Sequence, residues 1–283
     1  MSYAPLAKAA GWALVSSTAF AFLWLLARLL STEFHPFMLA MWAIVLSLPW
    51  MLPMLLLTTP GLLRPDRLVP HARPAAHMLV ATFAGFAAIA AIPLVEVAAM
   101  LLAIPVLAAL AAALLAGRGA PRATLALGVA GLALLFLPFP PSGPGTWAAL
   151  LAAVAAGGAF AVTDRLQLLR EDPRSITLWG LLLMSPAAVL LALPFDPWPT
   201  AHAWPLLFGM GACSAAGWLA LWQMLKLTGP RGLVFSGALL LAFVASGGAL
   251  LFGEHARLST IAGALLLAIG GLPGWTRPHR EQP

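Results

Sequence analysis

The sequence predicts an all-α membrane protein of ten transmembrane helices, arranged as two inverted five-helix repeats, and three observations predict it. Hydrophobic residues make up 62% of the chain and charged residues only 8%, with a mean hydropathy of +0.96; a soluble chain carries roughly 25% charged residues. The apolar residues fall into runs near the length of about 20 that a helix needs to cross the hydrocarbon. Finally, Arg28, Pro36, Trp42 and Pro49 recur without a gap at a spacing of 137 residues, as Arg165, Pro173, Trp179 and Pro186. Both copies read as an apolar helix ending in Arg, a polar break opening on Pro, and a second apolar helix, which points to an internal duplication.

Taken in order, helices are expected at 11–30, 36–57, 76–92, 94–115, 122–138, 146–168, 175–194, 204–225, 231–252 and 258–275. The first is too long for the apolar core of a signal peptide and a second apolar run follows at once, so it is expected to stay uncleaved. The third and fourth are divided at Pro93, which with Glu96 three residues on makes a helix-start pattern. Residues 137–146, LPFPPSGPGT, are uncharged and rich in Pro and Gly, and read as a loop. That seam separates a first repeat, 1–138, from a second, 146–275, and a tail, 276–283, follows.

Charge tests this division. With the N-terminus inside, the inner segments hold Lys8, Arg64, Arg67, Arg73, Arg118, Arg170, Arg174, Lys226, Arg277 and Arg280, and inner helix ends hold Arg122, Arg165 and Arg231. Only Arg28 and Arg257 of the 15 Lys and Arg remain near the outside. This positive-inside bias predicts a multi-pass protein of the bacterial inner (plasma) membrane with both termini cytoplasmic. Five helices per half is an odd number, so the halves cross in opposite senses; in secondary transporters such repeats hold the substrate near the midplane where they meet. The basic residues are spread over short loops rather than gathered in a patch, so the expected surroundings are the lipid bilayer and no nucleic acid. The single Cys213 excludes an internal disulfide and Cys-based metal sites. No phosphate-binding G-x-x-x-x-G-K-[ST], H-E-x-x-H or G-x-S-x-G motif occurs, and the six His share no ligand spacing, so no enzyme, metal or cofactor is expected.

Charge within a bilayer is costly, which makes the acids and bases inside segments the first functional candidates. Arg28 lies near the outer end of the first helix and Glu96 near the outer start of the fourth, so a pair at an outer mouth is geometrically open, beside the plainer readings of headgroup snorkelling for Arg28 and helix-dipole complementation for Glu96. Asp164 and Arg165 sit at the inner end of the sixth helix, as a gate or a structural ion pair with Lys226 or Arg231 nearby. Ser17, Phe20, Trp24 and Arg28 share one face of the first helix, and Ser214, Trp218 and Trp222 one face of the eighth, with Gln223 adjacent. Hydroxyl, indole and charge on one face suit a cavity better than lipid. Met100 follows Glu96 on the fourth helix, and Ser236 and Phe243 share a face of the ninth. Pro105 removes a backbone hydrogen bond within the fourth helix and is a hinge candidate. Trp42, Trp147, Trp179 and Trp204 read as packing or interfacial residues, and Gly157, Gly158, Gly247, Gly248, Gly270 and Gly271 as close helix contacts.

Residues 230–272, with a helix ending at Gly253-Glu254 and a Gly-rich final helix, resemble the end of an EamA-type repeat of the drug/metabolite transporter superfamily. A weaker echo stands at Gly117-Arg118. The Arg often found in the second helix of that repeat is replaced by Trp42 and Trp179, so its role does not carry over. The resemblance implies a secondary transporter of a small organic metabolite. An amino acid or similar zwitterion, exported, is the leading expectation, because an acid and a base at the mouth can face its two charges. Another metabolite class remains open (nucleoside, cofactor or organic cation), as do a channel, a lipid-handling protein, a homodimer, and proton coupling through Glu96 or Asp164 against facilitated diffusion or exchange.

Overall fold

The computed structural model describes residues 4–58, 68–117, 119, 121–136, 143–166, 171–195 and 198–272. Arg64, Arg67, Arg118, Arg170, Arg277 and Arg280, most of the 137–146 seam and the 276–283 tail lie outside the described residues. Among the described residues the chain forms twelve α-helices and no strand. They are α1 (Ala4–Leu30), α2 (Pro36–Val45), α3 (Leu48–Thr58), α4 (Leu68–Ala91), α5 (Leu94–Leu101), α6 (Ile104–Leu115), α7 (Arg122–Phe136), α8 (Pro144–Arg165), α9 (Pro173–Ala192), α10 (Trp204–Thr228), α11 (Gly232–Phe252) and α12 (Leu258–Gly271), with a 3-10 turn at Gly229–Arg231.

Among the described residues, seven helical stretches are long and apolar enough to cross a membrane. The last of them, Trp204–Phe252, runs for 49 residues, more than twice the need of one crossing, and it turns at Gly229, whose φ of 64° favours glycine. Arg122–Phe136 and Leu258–Gly271 are apolar but shorter.

Two expected helices are not continuous. Residues 36–57 break at Leu46 and Ser47, and residues 94–115 break at Leu102 and Ala103. Each break lies two residues before a proline, Pro49 or Pro105, which cannot donate to the carbonyl four residues back and whose ring collides with it. Boundaries shift elsewhere: α1 and α4 begin earlier than expected, at Ala4 and Leu68, and α12 ends at Gly271. The division at Pro93 holds, with Pro93 as the N-cap of α5.

Helices α2 and α9 begin alike. His35 Nδ1 accepts a hydrogen bond from Phe37 N–H at 3.2 Å, and Asp172 Oδ1 accepts from Arg174 N–H at 2.8 Å; each cap is followed by proline at the first helical turn.

Packing places α1 against α10 and α11, α4 against α8 and α9, α2 against α9 and α10, α5 and α6 against α8, and α7 against α12. Hydroxyls stitch the first of these: Ser16 donates to Gly217 O at 3.1 Å and Ser17 to Ser236 O at 2.9 Å. Small residues let backbones approach. A Cβ at Gly157 would lie 2.8 Å from Leu107 Cβ, and one at Gly263 would lie 2.8 Å from Gly131 O on α7. Large apolar side chains such as Phe22, Val129, Leu190, Leu250 and Leu265 stand exposed on the outer surface, the arrangement a lipid solvent requires.

Candidate functional site

The helices line a partly open cavity of about 170 Å³. Its wall draws on both halves of the sequence. Phe20, Leu23 and Trp24 come from α1 and Ala43 and Ile44 from α2; α4 supplies Met78, Thr82, Gly85, Phe86 and Ile89, and the α5–α6 break supplies Leu101, Ile104 and Pro105. From the second half come Ala152, Ala156 and Phe160 of α8, Met184 of α9, Ser214, Trp218 and Leu221 of α10, and Leu233, Ser236, Gly237 and Leu240 of α11. No charged side chain lies on this wall; its polar groups are the hydroxyls of Thr82, Ser214 and Ser236 and the indole N–H groups of Trp24 and Trp218.

Aromatic rings shape the interior. Phe20 meets Trp218 edge-on at 5.2 Å, Trp218 stacks on Trp222 at 6.3 Å, and Trp222 tilts against Phe160 at 5.6 Å. Such pairs fix ring orientation beyond what burial alone would do.

Of the residues the sequence singled out, Phe20, Trp24, Ser214, Trp218, Ser236 and Pro105 line the cavity. Trp222 lines a smaller, adjoining one of about 40 Å³. Ser17 lies behind the wall, fully buried, its Oγ 3.2 Å from that of Ser236. Met100 is buried in the core and Phe243 packs at its margin; neither they nor Gln223 lines either cavity. Trp42, buried, joins Trp198 and Trp204 in a cluster of its own.

The pair of Arg28 with Glu96 does not form. Arg28 Nη2 lies 3.4 Å from Glu254 Oε1, and Glu96 Oε1 lies 3.7 Å from Arg257 Nε. The reason is geometric. Arg28 on α1 reaches the α4–α5 junction, where its Nη1 donates to Ile89 O at 2.8 Å, and the turn after α11 brings Glu254 to the same spot. Gly253, at φ 65°, ends α11 in the left-handed conformation, and Glu254 N–H donates back to Gly248 O. The Glu254 side chain, 9% exposed, then accepts a hydrogen bond from Leu94 N–H at 2.7 Å and so caps α5. Glu254 is therefore more than a turn residue, a role invisible in a one-dimensional reading because its partners lie 160 and more residues away.

At the opposite end, buried His71 at the start of α4 places Nε2 3.0 Å from Glu171 Oε2. His71 borders the smaller cavity with Thr163, Thr177, Trp218 and Trp222. Arg165 donates from Nη1 to Leu115 O rather than reaching inward. The sequence reading missed the α4 face. Met78, Thr82, Gly85, Phe86 and Ile89 repeat at three- and four-residue steps, but without charge or indole they did not stand out. Among the described residues no group of three or more His, Cys, Asp and Glu could hold a metal ion.

Comparison with known proteins gives a likeness over part of the chain. The model of the EamA-like transporter family matches residues 143–272. A solved structure described as "Crystal structure of protein" is similar over 96% of this chain and 99% of its own, at 23% identity and a TM-score of 0.63, a likeness of fold. No curated protein matches the chain.

Proposed function

We propose, from the match of residues 143–272 to the EamA-like transporter family, that the protein is a multi-pass membrane transporter of the drug/metabolite transporter superfamily, a secondary transporter exporting an amino acid or similar zwitterion by alternating access of two inverted halves. The observation that carries the proposal is the cavity wall, built about equally from residues before and after the 137–146 seam. A cavity shared between two halves can face either side when they rock against each other.

The contacts support the inverted arrangement. The 137-residue frame carries α1 onto α8 and α4 onto α10, and the extensive packing of α1 on α10 has its counterpart in that of α4 on α8. Likewise α2 on α10 answers to α9 on α4, while α2 with α9 and α7 with α12 are self-paired. Such exchange is expected of a pseudo-twofold axis, and it supports counting ten crossings, with the 49-residue stretch as two and the short helices α7 and α12 as one each. Both termini are then cytoplasmic in a bacterial inner membrane, and the Arg28 end of the cavity faces outward.

The wall supports an amino acid with an apolar or aromatic side chain, because Phe20, Trp24, Trp218 and Phe160 offer faces and edges to such a group and bury its surface. A second reading, a flat neutral solute such as a nucleobase or nucleoside, is favoured by the absence of charge on that wall. Counterflow in proteoliposomes of the purified protein separates the two. Labelled phenylalanine, leucine and threonine are expected to exchange saturably, and Trp218→Ala to lower the rate at least about tenfold. Exchange of uridine or adenine with no amino acid exchanged would install the second reading.

A further inference from the structure

We propose that Arg28 and the backbone N–H of Leu94 form the subsite for the carboxylate of the transported solute, and that Glu254 is a built-in occupant which the solute's carboxylate displaces. The proposal rests on the reading of the solute as a zwitterion.

The cavity wall itself carries no cation. Its polar groups are three hydroxyls and the indole N–H groups of Trp24 and Trp218, and a carboxylate buried among apolar groups without a charged partner is strongly disfavoured. The nearest fitting partners stand at the Arg28 end. Ile89 contributes to the wall, and its carbonyl receives Arg28 Nη1 at 2.8 Å, which holds the guanidinium against a residue of the wall, one helical turn beyond Trp24 on α1. Beside it, Leu94 N–H opens the first turn of α5, where unsatisfied N–H groups and the helix dipole favour an anion. A guanidinium and a helix-start N–H converging on one point are a carboxylate seat.

Glu254 sits in that seat imperfectly. Its Oε2 is well bound by Leu94 N–H at 2.7 Å. Its Oε1, buried, lies 3.4 Å from Arg28 Nη2 and makes no hydrogen bond. A free carboxylate is not tethered to the α11–α12 turn and can shift to satisfy both oxygens. Exchanging one carboxylate for another also leaves Arg28 paired throughout, so the step avoids the large penalty of an uncompensated buried charge. Release of Glu254 passes the cap of α5 to the solute's carboxylate and frees the turn that carries Arg257, the partner of Glu96. Solute binding is thereby coupled to loosening of the contacts between α1, the α4–α5 junction and the α11–α12 turn that close this end.

The test uses the full chain, with propionate as the carboxylate probe and propanamide as its neutral isostere. Glu254→Ala is expected to melt roughly 5 °C below wild type in detergent, and propionate at about 50 mM to recover at least half of that loss while propanamide recovers none. The double variant Arg28→Gln with Glu254→Ala should gain nothing from either. If Glu254→Ala does not fold, Glu254→Ser, which also empties the seat, is read the same way. Equal effects of the two probes, or equal rescue with and without Arg28, would overturn the subsite. Counterflow supplies an independent arm: wild type should prefer phenylalanine over phenylalaninamide at least about tenfold and Arg28→Gln should lose that preference, whereas its retention would also overturn the subsite. Propionate rescue without exchange of any amino acid overturns the zwitterion reading and leaves the carboxylate seat standing; amino-acid exchange without rescue does the reverse.

Discussion

Two of the helix pairs related by the 137-residue spacing differ in one respect: the member in the first half of the sequence is broken and the member in the second is not. The 137-residue frame carries α2–α3 onto α9 and α5–α6 onto α11. Residues 36–58 stop at Leu46 and Ser47 and restart, whereas α9 runs unbroken from Pro173 to Ala192 through Pro186. Residues 94–115 stop at Leu102 and Ala103, whereas α11 runs from Gly232 to Phe252. For the second pair the cause is composition, since Pro105 has no counterpart in α11. For the first it is environment. Pro49 and Pro186 occupy equivalent positions, yet only the first break is held by a neighbour: Ser47 Oγ bonds both Ala43 O and Gly211 O, and Gly211 admits Leu46 O where a side chain could not fit. Proline permits a break; a partner for the freed groups decides whether it forms. Both breaks border residues of the cavity wall, so the first half carries the irregular backbone and the second supplies straight helices against it.

The strongest way to upset this asymmetry is to give α11 a proline. Leu241→Pro falls mid-helix, removes the bond to Gly237 O, and is expected to destabilise the protein by about 3 kcal/mol or more, read as lost monodispersity and a lower melting temperature in detergent. Next comes Gly211→Ala. Its Cβ would lie 2.4 Å from Leu46 O, a backbone atom that cannot swing aside, and a cost of roughly 2 kcal/mol follows. The same substitution at Gly180, with nothing within 4 Å, should be neutral or mildly stabilising.

Pro105→Ala makes the first half resemble the second. With the amide restored, residues 94–115 can run as one helix, and fold stability should hold or rise. If the break is the rocking element, exchange in counterflow should fall roughly tenfold with solute affinity unchanged, since conformational steps limit many such cycles. An unchanged rate would make the break a packing feature and leave rocking to whole helices. Ser47→Ala is milder. It deprives Gly211 O of a buried partner and should cost about 1 kcal/mol in melting experiments, whereas Ser185→Ala on α9, whose hydroxyl only bonds back to Leu181 O, should cost less.

The sequence announced much of this architecture. Length and hydropathy marked the helices, and Pro36 with Pro173 and Arg28 with Arg165 gave the 137-residue frame on which the proposed repeat rests. Phe20, Trp24, Ser214, Trp218 and Ser236 reached the cavity because each shares a helix face with other polar or aromatic groups. What failed to show was anything decided by a distant neighbour. Arg28 chose Glu254 over Glu96 because the turn after Gly253 folds back over the start of α5, a contact no local pattern encodes. The α4 face was silent because methionine, threonine and glycine at helical spacing look the same against lipid, core or cavity. The break at Ser47 needed Gly211, 164 residues on.

The smallest expected effect concerns the caps that open α2 and α9. His35 and Asp172 do the same work at equivalent positions, but only His35 can lose its acceptor near neutral pH. His35 stacks on Phe195 at 3.8 Å, nearly parallel, and burial holds its pKa below the ordinary 6.5. The folded protein thus favours the neutral ring, whose Nδ1 accepts from Phe37 N–H, while the unfolded chain binds the proton more readily. That contribution is full above pH 6.5 and is lost as pH falls from 6.5 through the depressed folded value. His35→Asp gives the first copy the cap of the second, a carboxylate already ionised across that window. Melting curves in detergent at pH 7.5 and 5.5 should show wild type losing about 1 °C more than the variant. A variant that loses as much as wild type would place the pH dependence elsewhere and reduce the difference between the two caps to one of residue type alone.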